Sequence, residues 1–234
     1  MAGVRNSTRG PAAAGTSQHG RTRRPRRDAE ANRERLLAAA VTVMLREGRN
    51  VPLAAIAAEA GVGVGTLYRK YPDRQALLHA LEQRAYDLLV DLLAEIEELR
   101  RPGREAVAEY LRRCVAVGDQ LVLPLHGAPP LMSEDAVRSR RTISRRLESF
   151  LERGRADGSV RADAGATDVI VFTALITQPL SYGPDWPRMA ERQIALFLNA
   201  LAADGPVGIP GPGITGADIE DAFAVHAAGG DERG

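Results

Sequence analysis

The chain has 234 residues, enough for one large domain or two small ones, and 44% of them are hydrophobic, so a substantial core can form. The net charge of +1 conceals an asymmetry: residues 1–75 contain 14 Lys/Arg against 6 Asp/Glu, whereas residues 76–234 contain 17 against 24. A single cysteine, Cys114, excludes an intrachain disulfide framework and a multi-cysteine metal site, and it is typical of a reducing, cytoplasmic compartment.

The basic N-terminal part indicates a polyanionic partner, which could be DNA, RNA or a membrane surface. Residues 1–27 contain no acid and no apolar periodicity, which predicts a disordered basic arm. The arm ends in five arginines, Arg21, Arg23, Arg24, Arg26 and Arg27. An organelle transit peptide is also Arg-rich, but these arginines directly precede the first predicted helix without a cleavage-like spacer. We predict no signal peptide, because residues 1–27 lack an apolar segment. We predict no membrane span, because the longest uncharged apolar stretch, 169–184, is too short and contains Pro179.

Residues 28–75 are predicted to form a helix-turn-helix domain, with the motif itself at 52–71. The apolar spacing and the flanking Gly and Pro residues predict three helices, over 28–47, 53–60 and 64–70. Gly61 separates the two short helices, and Pro72 ends the last of them because it disfavours the helical conformation in the residue before it. This order of one helix, a short helix, a tight turn and a second short helix is that of a helix-turn-helix.

Residues 76–203 are predicted to form a second helical domain. Five long helices are predicted in it. The first begins after Asp73, the second covers 104–123, and the third runs from after Ser133 to about 154. The fourth and fifth cover 166–180 and 187–203. We find no convincing strand pattern, so the predicted fold class is all-α. The tail, 204–234, is rich in Gly and Pro, with one possible short helix near 217–225.

The last two helices of this domain are apolar on nearly every side. A helix without a polar face must be buried on all sides, and in a chain of this size a subunit interface explains two such helices best. We therefore predict a homodimer. The predicted interface residues are Val169, Phe172, Ile176, Ile194, Phe197 and Leu201.

The second short helix is predicted to read DNA. Ile56 and Leu67 face the core between the two short helices, which leaves the start and the outer face of the second helix exposed. A recognition helix presents this end to the major groove. Glycines at its start also allow the backbone to approach phosphate closely.

The segment 52–78 closely resembles the signature of the tetracycline-repressor (TetR) family, I-A-x-x-A-G-V-x-x-G-T-L-Y-x-x-F-P-x-[KR]-x-x-L, and about 50 residues match directly. The resemblance implies that Tyr68 and Arg74 hold DNA phosphates, that the two C-terminal helices pair with a second subunit, and that the middle helices enclose a small-molecule pocket. A ligand there would change the spacing of the two DNA-reading heads and release a repressor. Many members carry Ser or Thr where this chain has Pro52 and Gly63, so two hydroxyl contacts are lost per subunit.

The predicted DNA-binding residues are Gly63, Val64, Gly65, Thr66, Tyr68, Arg69, Lys70, Tyr71 and Arg74, with Arg23, Arg24, Arg26 and Arg27 of the arm. The predicted pocket residues are Tyr86, Tyr110, His126, Phe150 and Gln178. The implied partners are double-stranded DNA with a pseudo-palindromic operator, a second copy of the chain, and an unidentified small-molecule effector.

Other readings of the sequence are weaker. The run of glycines at 61–65 does not fit a dinucleotide loop, because Thr66 stands at the position of the third glycine and a helix precedes it. No serine elbow, zinc-protease motif or phosphate-binding lysine loop is present, so we predict no enzyme, cofactor or metal site. We also predict a solvated face, not an anion site, for Arg138, Arg141 and Arg145. The open alternative is a DNA-binding or architectural protein gated by a protein partner, with its middle helices packed solid.

Overall fold

The computed structural model describes residues 23–48, 50–125, 132–178, 185–204, 209–211 and 213–230. Within these ranges every regular element is a helix, in agreement with the predicted all-α class. The helices are α1 (Arg23–Glu47), α2 (Leu53–Glu59), α3 (Val64–Lys70), α4 (Arg74–Glu98), α5 (Gly103–Ala116), α6 (Gly118–Leu125), α7 (Glu134–Ala156), α8 (Ala166–Ile176), α9 (Trp186–Ala200) and α10 (Gly216–Gly230).

Two hydrophobic cores lie along the chain. The first is formed by α1, α2, α3 and the start of α4, and its centre includes the fully buried Leu37, Ile56 and Leu67. The second is formed by α4 to α9 around Tyr110 and Phe150. The long helix α4 belongs to both, because its apolar residues recur at spacings of three and four and so follow one face.

Side-chain caps fix the starts of the long helices where the sequence predicts them. The Asp73 carboxylate accepts a hydrogen bond of 2.7 Å from the backbone N–H of Ala76, at the start of α4. The Ser133 hydroxyl accepts one of 3.2 Å from the N–H of Ala136, at the start of α7. A capping oxygen satisfies an N–H that has no partner within the helix.

Several helices differ from their predicted bounds. Helix α8 ends at Ile176 and not at 180, α9 ends at Ala200 and not at 203, and α10 is longer than the predicted 217–225. The helix predicted over 104–123 is interrupted at Val117, which adopts φ −113° and ψ 19°. At that break Gly118 lies against α8, where a Cβ atom on Gly118 would stand 3.0 Å from the carbonyl oxygen of Thr177. The first helix begins at Arg23 and not at 28. Pro25 does not prevent this, since proline is tolerated in the first turn. The rest of the predicted arm, residues 1–22, lies outside the described residues.

A close contact at Gly103 joins α5 to α7 and gives a testable prediction. A Cβ atom on Gly103 would lie 2.1 Å from the carbonyl oxygen of Phe150 and 2.3 Å from the backbone nitrogen of Gly154. Gly103→Ala must separate these backbones, so we expect chemical denaturation to show a loss of about 1–3 kcal/mol in the free energy of unfolding. The control is Gly65→Ala, where the added Cβ would meet nothing within 4 Å. An unchanged midpoint for Gly103→Ala would contradict the contact.

Candidate nucleic-acid interface

The outer face of α3 is open to solvent. Leu67 is fully buried and holds the helix against α2, while Val64 is 46% and Tyr68 49% exposed on the other side. Gly63, Gly65 and Arg69 are exposed beside them. Large apolar and aromatic side chains left together on a short helix are typical of a contact surface. The structure thus places five of the predicted DNA-binding residues on one exposed face.

The turn before α3 is made by glycine. Gly61 has a φ of 67°, a left-handed conformation that favours glycine over other residues. At Gly63 and Gly65 an added Cβ atom would meet nothing within 4 Å, so the start of α3 is unobstructed. Neither Pro52 nor Gly63 makes a side-chain cap. This follows from the departure from the family signature at these two positions.

Thr66 and Lys70 are only half-exposed. The Lys70 ammonium donates a hydrogen bond of 3.4 Å to the carbonyl oxygen of Ala29, which links α3 to α1. Partial burial and then the nearby Arg33 lower the pKa of Lys70. Lys70 therefore stands at the edge of the exposed face, next to the first turns of α1.

Two of the predicted DNA-binding residues, Tyr71 and Arg74, make contacts within the protein. Tyr71 is 6% exposed and packs in the first core, and its hydroxyl is buried. Burial raises the pKa of Tyr71. Its predicted DNA contact is corrected to a core position, because the chain turns inward after α3. Arg74 donates a hydrogen bond to the carbonyl oxygen of Val51 and ties the start of α4 to the segment before α2. A phosphate contact by Arg74 stays a prediction.

The predicted dimer residues divide into two groups. Val169, Ile176, Ile194 and Leu201 are at most 3% exposed within a single subunit, so they lie in its own core and their prediction as interface residues is wrong. The reason is that α5 and α7 cover these faces of α8 and α9. Phe172 and Phe197 are half-buried and stack on each other, with ring centroids 4.1 Å apart.

The exposed side of α8 and α9 is a different apolar surface, which we call the α8/α9 face. It consists of Val171, Leu175 and Leu196, which are 51%, 65% and 53% exposed. Sequence reasoning missed these three residues. An apolar helix carries no periodic signal that separates its core side from its interface side. A patch of this kind on a soluble protein marks an interaction site.

Three of the predicted pocket residues are packed in the second core of the part of the chain that the structure describes. Tyr86, Tyr110 and Phe150 are 7%, 1% and 0% exposed in the second core, Gln178 is exposed, and His126 lies outside the described residues. A groove of about 410 Å³ opens instead between α4 and α7. It is lined by Gln83, Asp87, Val90, Asp135, Arg138, Ser139 and Thr142.

Two smaller predictions concern the same domain. Arg138, Arg141 and Arg145 are exposed, which agrees with a solvated face. Cys114 is fully buried, and this burial raises the pKa of its thiol to about 12. Across the described ranges, no helix is long and apolar enough to cross a membrane, and no cluster of His, Cys, Asp and Glu could hold a metal ion.

Comparison with known proteins identifies the fold family. Residues 36–81 match the model of bacterial regulatory proteins of the tetR family. A TetR transcriptional regulator from Streptomyces coelicolor is 32% identical, with a TM-score of 0.52 over 73% of this chain and 98% of that one. This chain belongs to the TetR family of transcriptional regulators. Another TetR regulator, from Mycobacterium vanbaalenii, is 28% identical, with a TM-score of 0.56 over 76% of this chain and 99% of that one.

Curated relatives match a shorter region. HTH-type transcriptional regulators from Staphylococcus aureus are 35% identical over 74 residues, which is 31% of this chain. The match spans 40% of the length of those relatives. TetR regulators bind DNA, act as dimers and are not enzymes. The exposed outer face of α3 therefore lies within the region that matches the family model, and its contact with DNA stays a prediction.

Proposed function

We propose that this TetR-family protein is a repressor that binds a pseudo-palindromic operator as a homodimer and is released by a small molecule. The observation that carries the proposal is that one rigid helix enters both cores. Leu77 and Leu81 of α4 pack in the first core, while Leu89 and Leu93 pack in the second. A ligand that displaces α4 within the second domain must therefore move the DNA-reading head.

Polar contacts near the middle of α4 reinforce this coupling. The Arg84 guanidinium pairs with Glu34 of α1 at 2.8 Å. The adjacent Gln83 lines the groove against α7 and donates a hydrogen bond of 3.3 Å to the Ser139 hydroxyl. Neighbouring residues of one helix thus contact the DNA-binding domain on one side and the groove on the other.

The operator should have two-fold symmetry, since a symmetric dimer presents two identical heads. Heads that read adjacent major grooves must lie about 34–36 Å apart, one turn of DNA. Selection of binding sites from a random DNA pool with the purified protein tests this. We expect an inverted repeat, and a single asymmetric element would contradict the proposal. Deleting the gene should raise transcription from promoters that contain the repeat, whereas a fall would identify an activator.

Ligand release should appear as a coupling of about 1–3 kcal/mol between operator and effector, and it should be reciprocal. Fluorescence anisotropy measures operator affinity before and after the dialysable metabolite fraction of the source cells is added. We expect the fraction to weaken operator binding. The tight packing of Tyr110 and Phe150 favours a second candidate, control by a protein partner. Release by the retained protein fraction alone would decide for that candidate.

The arginines at the start of α1 should add salt-dependent affinity. We propose that Arg23, Arg24, Arg26 and Arg27 contact the DNA backbone beside the half-site. Each neutralised phosphate contributes about −0.9 to the slope of log K against log salt, so changing all four to Gln should flatten the slope by about 5 if three engage per subunit. The selected core sequence should stay the same, because phosphate contacts position and base contacts specify.

The control for this measurement replaces Arg141 and Arg145, two exposed arginines of α7, by Gln in the same way. These changes remove charge far along the chain from α3 and should leave the salt slope unchanged. Equal slopes for the wild type and the N-terminal variant would show that these arginines do not contact DNA.

A further inference from the structure

The C-terminal helix α10 packs on α7 through one enclosed ion pair. The Arg140 guanidinium donates two hydrogen bonds to the Glu220 carboxylate, 2.6 Å from Nε and 2.7 Å from Nη2. The two side chains are only 11% and 16% exposed. Two parallel hydrogen bonds of this kind are the strongest way in which a protein recognises a carboxylate.

Aromatic rings flank the same guanidinium. Its central carbon lies 5.8 Å from the ring centre of Tyr86 on α4 and 5.2 Å from that of Phe223 on α10. The Tyr86 hydroxyl donates a hydrogen bond of 2.9 Å to the buried Glu82, which fixes the ring. Arg140 thus lies next to one ring from the second domain, Tyr86, and one ring from the C-terminal helix, Phe223.

The pairing keeps the guanidinium charged in an enclosed position. Burial is the largest single influence and lowers the pKa of Arg140, but the interactions with Glu220 and Tyr86 together outweigh it and the pKa is raised. Because Glu220 and Phe223 cover that side of the guanidinium, opening of α10 would both remove this carboxylate and let water reach the cation. When α10 opens, the guanidinium loses the two hydrogen bonds to Glu220, and an added carboxylate would be able to accept them.

Among residues 216–225, the part of α10 whose side chains the structure describes, few other residues are covered by the rest of the protein. The side of α10 that faces α7 carries Gly216, Glu220 and Phe223, which follow one another at spacings of four and three residues. Gly216 lies close to Ser144 of α7. The outer side of α10 exposes residues such as Asp221 and Val225, the latter 73% exposed. A helix with so few buried contacts is among the parts of a protein that open first.

We propose that the site formed by Arg140, Tyr86 and Ser144 recognises a carboxylate bearing an apolar ring, and that Glu220 and Phe223 of α10 occupy it as an internal substitute. This deepens the proposed small-molecule control and rests on it. A carboxylate effector takes the two hydrogen bonds of Glu220, and its ring takes the place of Phe223 beside the guanidinium. Because Tyr86 lies on α4, exchange of α10 for a ligand changes the packing of the helix that enters both cores.

The test uses full-length protein and 3-phenylpropanoate as the probe, with the uncharged 3-phenylpropanamide as its control. Glu220→Gln removes the competing carboxylate and keeps the shape. Calorimetry should show about tenfold or more tighter binding of the acid than in the wild type, because a larger fraction of molecules has an open site. Asp221→Asn makes the same change on the exposed side of α10 and should not tighten binding of the acid. The amide should bind no more tightly to any variant than to the wild type.

The Glu220→Gln, Arg140→Gln double variant should lose the acid. If it unfolds, Arg140→Lys in the same background keeps the charge without the planar two-point contact and should bind more weakly. Hydrogen exchange in α10 of the wild type should accelerate when the acid is added. Equal binding of the acid to wild type and Glu220→Gln, or an equal gain for the amide, overturns the proposal.

Operator affinity measured with and without the probe separates this site from the proposed control of DNA binding. If the acid binds at Arg140 and operator affinity does not change, the carboxylate site is supported and its role in regulating DNA binding is contradicted. If the acid does not bind while the metabolite fraction releases DNA, the proposed function stands and this site fails.

Discussion

Leu175→Glu should convert the dimer into monomers. Leu175 is 65% exposed on the α8/α9 face, where Leu196 of α9 lies exposed as well. In a dimer built on this face, each subunit would carry an unpaired carboxylate into a desolvated contact, at a cost of about 3–5 kcal/mol. We expect sedimentation velocity to show the dimer dissociation constant raised by about 1,000-fold, since each 1.4 kcal/mol is a factor of ten.

The matched control is Leu45→Glu, because Leu45 is a 47% exposed leucine of α1 and lies outside the α8/α9 face. It should leave the dimer intact. Leu175 is a better target than Phe172 or Phe197, since those rings stack within the subunit and an acid there would also damage the fold. A wild-type monomer at micromolar concentration, or a Leu175→Glu dimer as tight as the wild type, would contradict this interface.

Tyr68→Ala should remove most operator binding without unfolding the protein. The Tyr68 side chain is 49% exposed and projects from α3 on the side opposite the buried Leu67. We expect each subunit to lose about 1–3 kcal/mol of operator-binding free energy, so a dimer loses this amount twice. Anisotropy with the selected operator measures the loss, and thermal unfolding should be unchanged. Leu99→Ala, at a 46% exposed position just past α4, serves as the control and should bind DNA normally.

Arg69 on the same face allows phosphate contact and base contact to be told apart. If Arg69 binds a phosphate, Arg69→Ala should weaken all sequences alike and flatten the salt slope by about 2 per dimer. If it reads a base edge, the variant should instead relax selection at one position of each half-site. Unchanged affinity and unchanged selection would remove Arg69 from the interface.

The sequence alone determined the helix bounds that depend on neighbouring residues. Gly61, Pro72 and the caps at Asp73 and Ser133 act through the backbone within a few residues, so the bounds of α3 and the starts of α4 and α7 could be read directly. The exposed side of α3 followed as well, because one buried leucine on a short helix fixes which face is outside.

The tertiary structure decided what depends on distant neighbours. Helix α8 is apolar on nearly every side, so only its packing against α5 and α7 assigns Val169 to the core and Leu175 to the surface. Helix α9 was expected to be apolar as well, but it exposes Arg188, Glu191 and Arg192. The break at Val117 lies where Gly118 meets Thr177, about sixty positions along the chain. Arg140 gave no signal in the sequence either, since its partner Glu220 lies eighty residues away. Local chemistry sets the capped starts of α4 and α7, but only long-range packing selects the faces that remain free to bind.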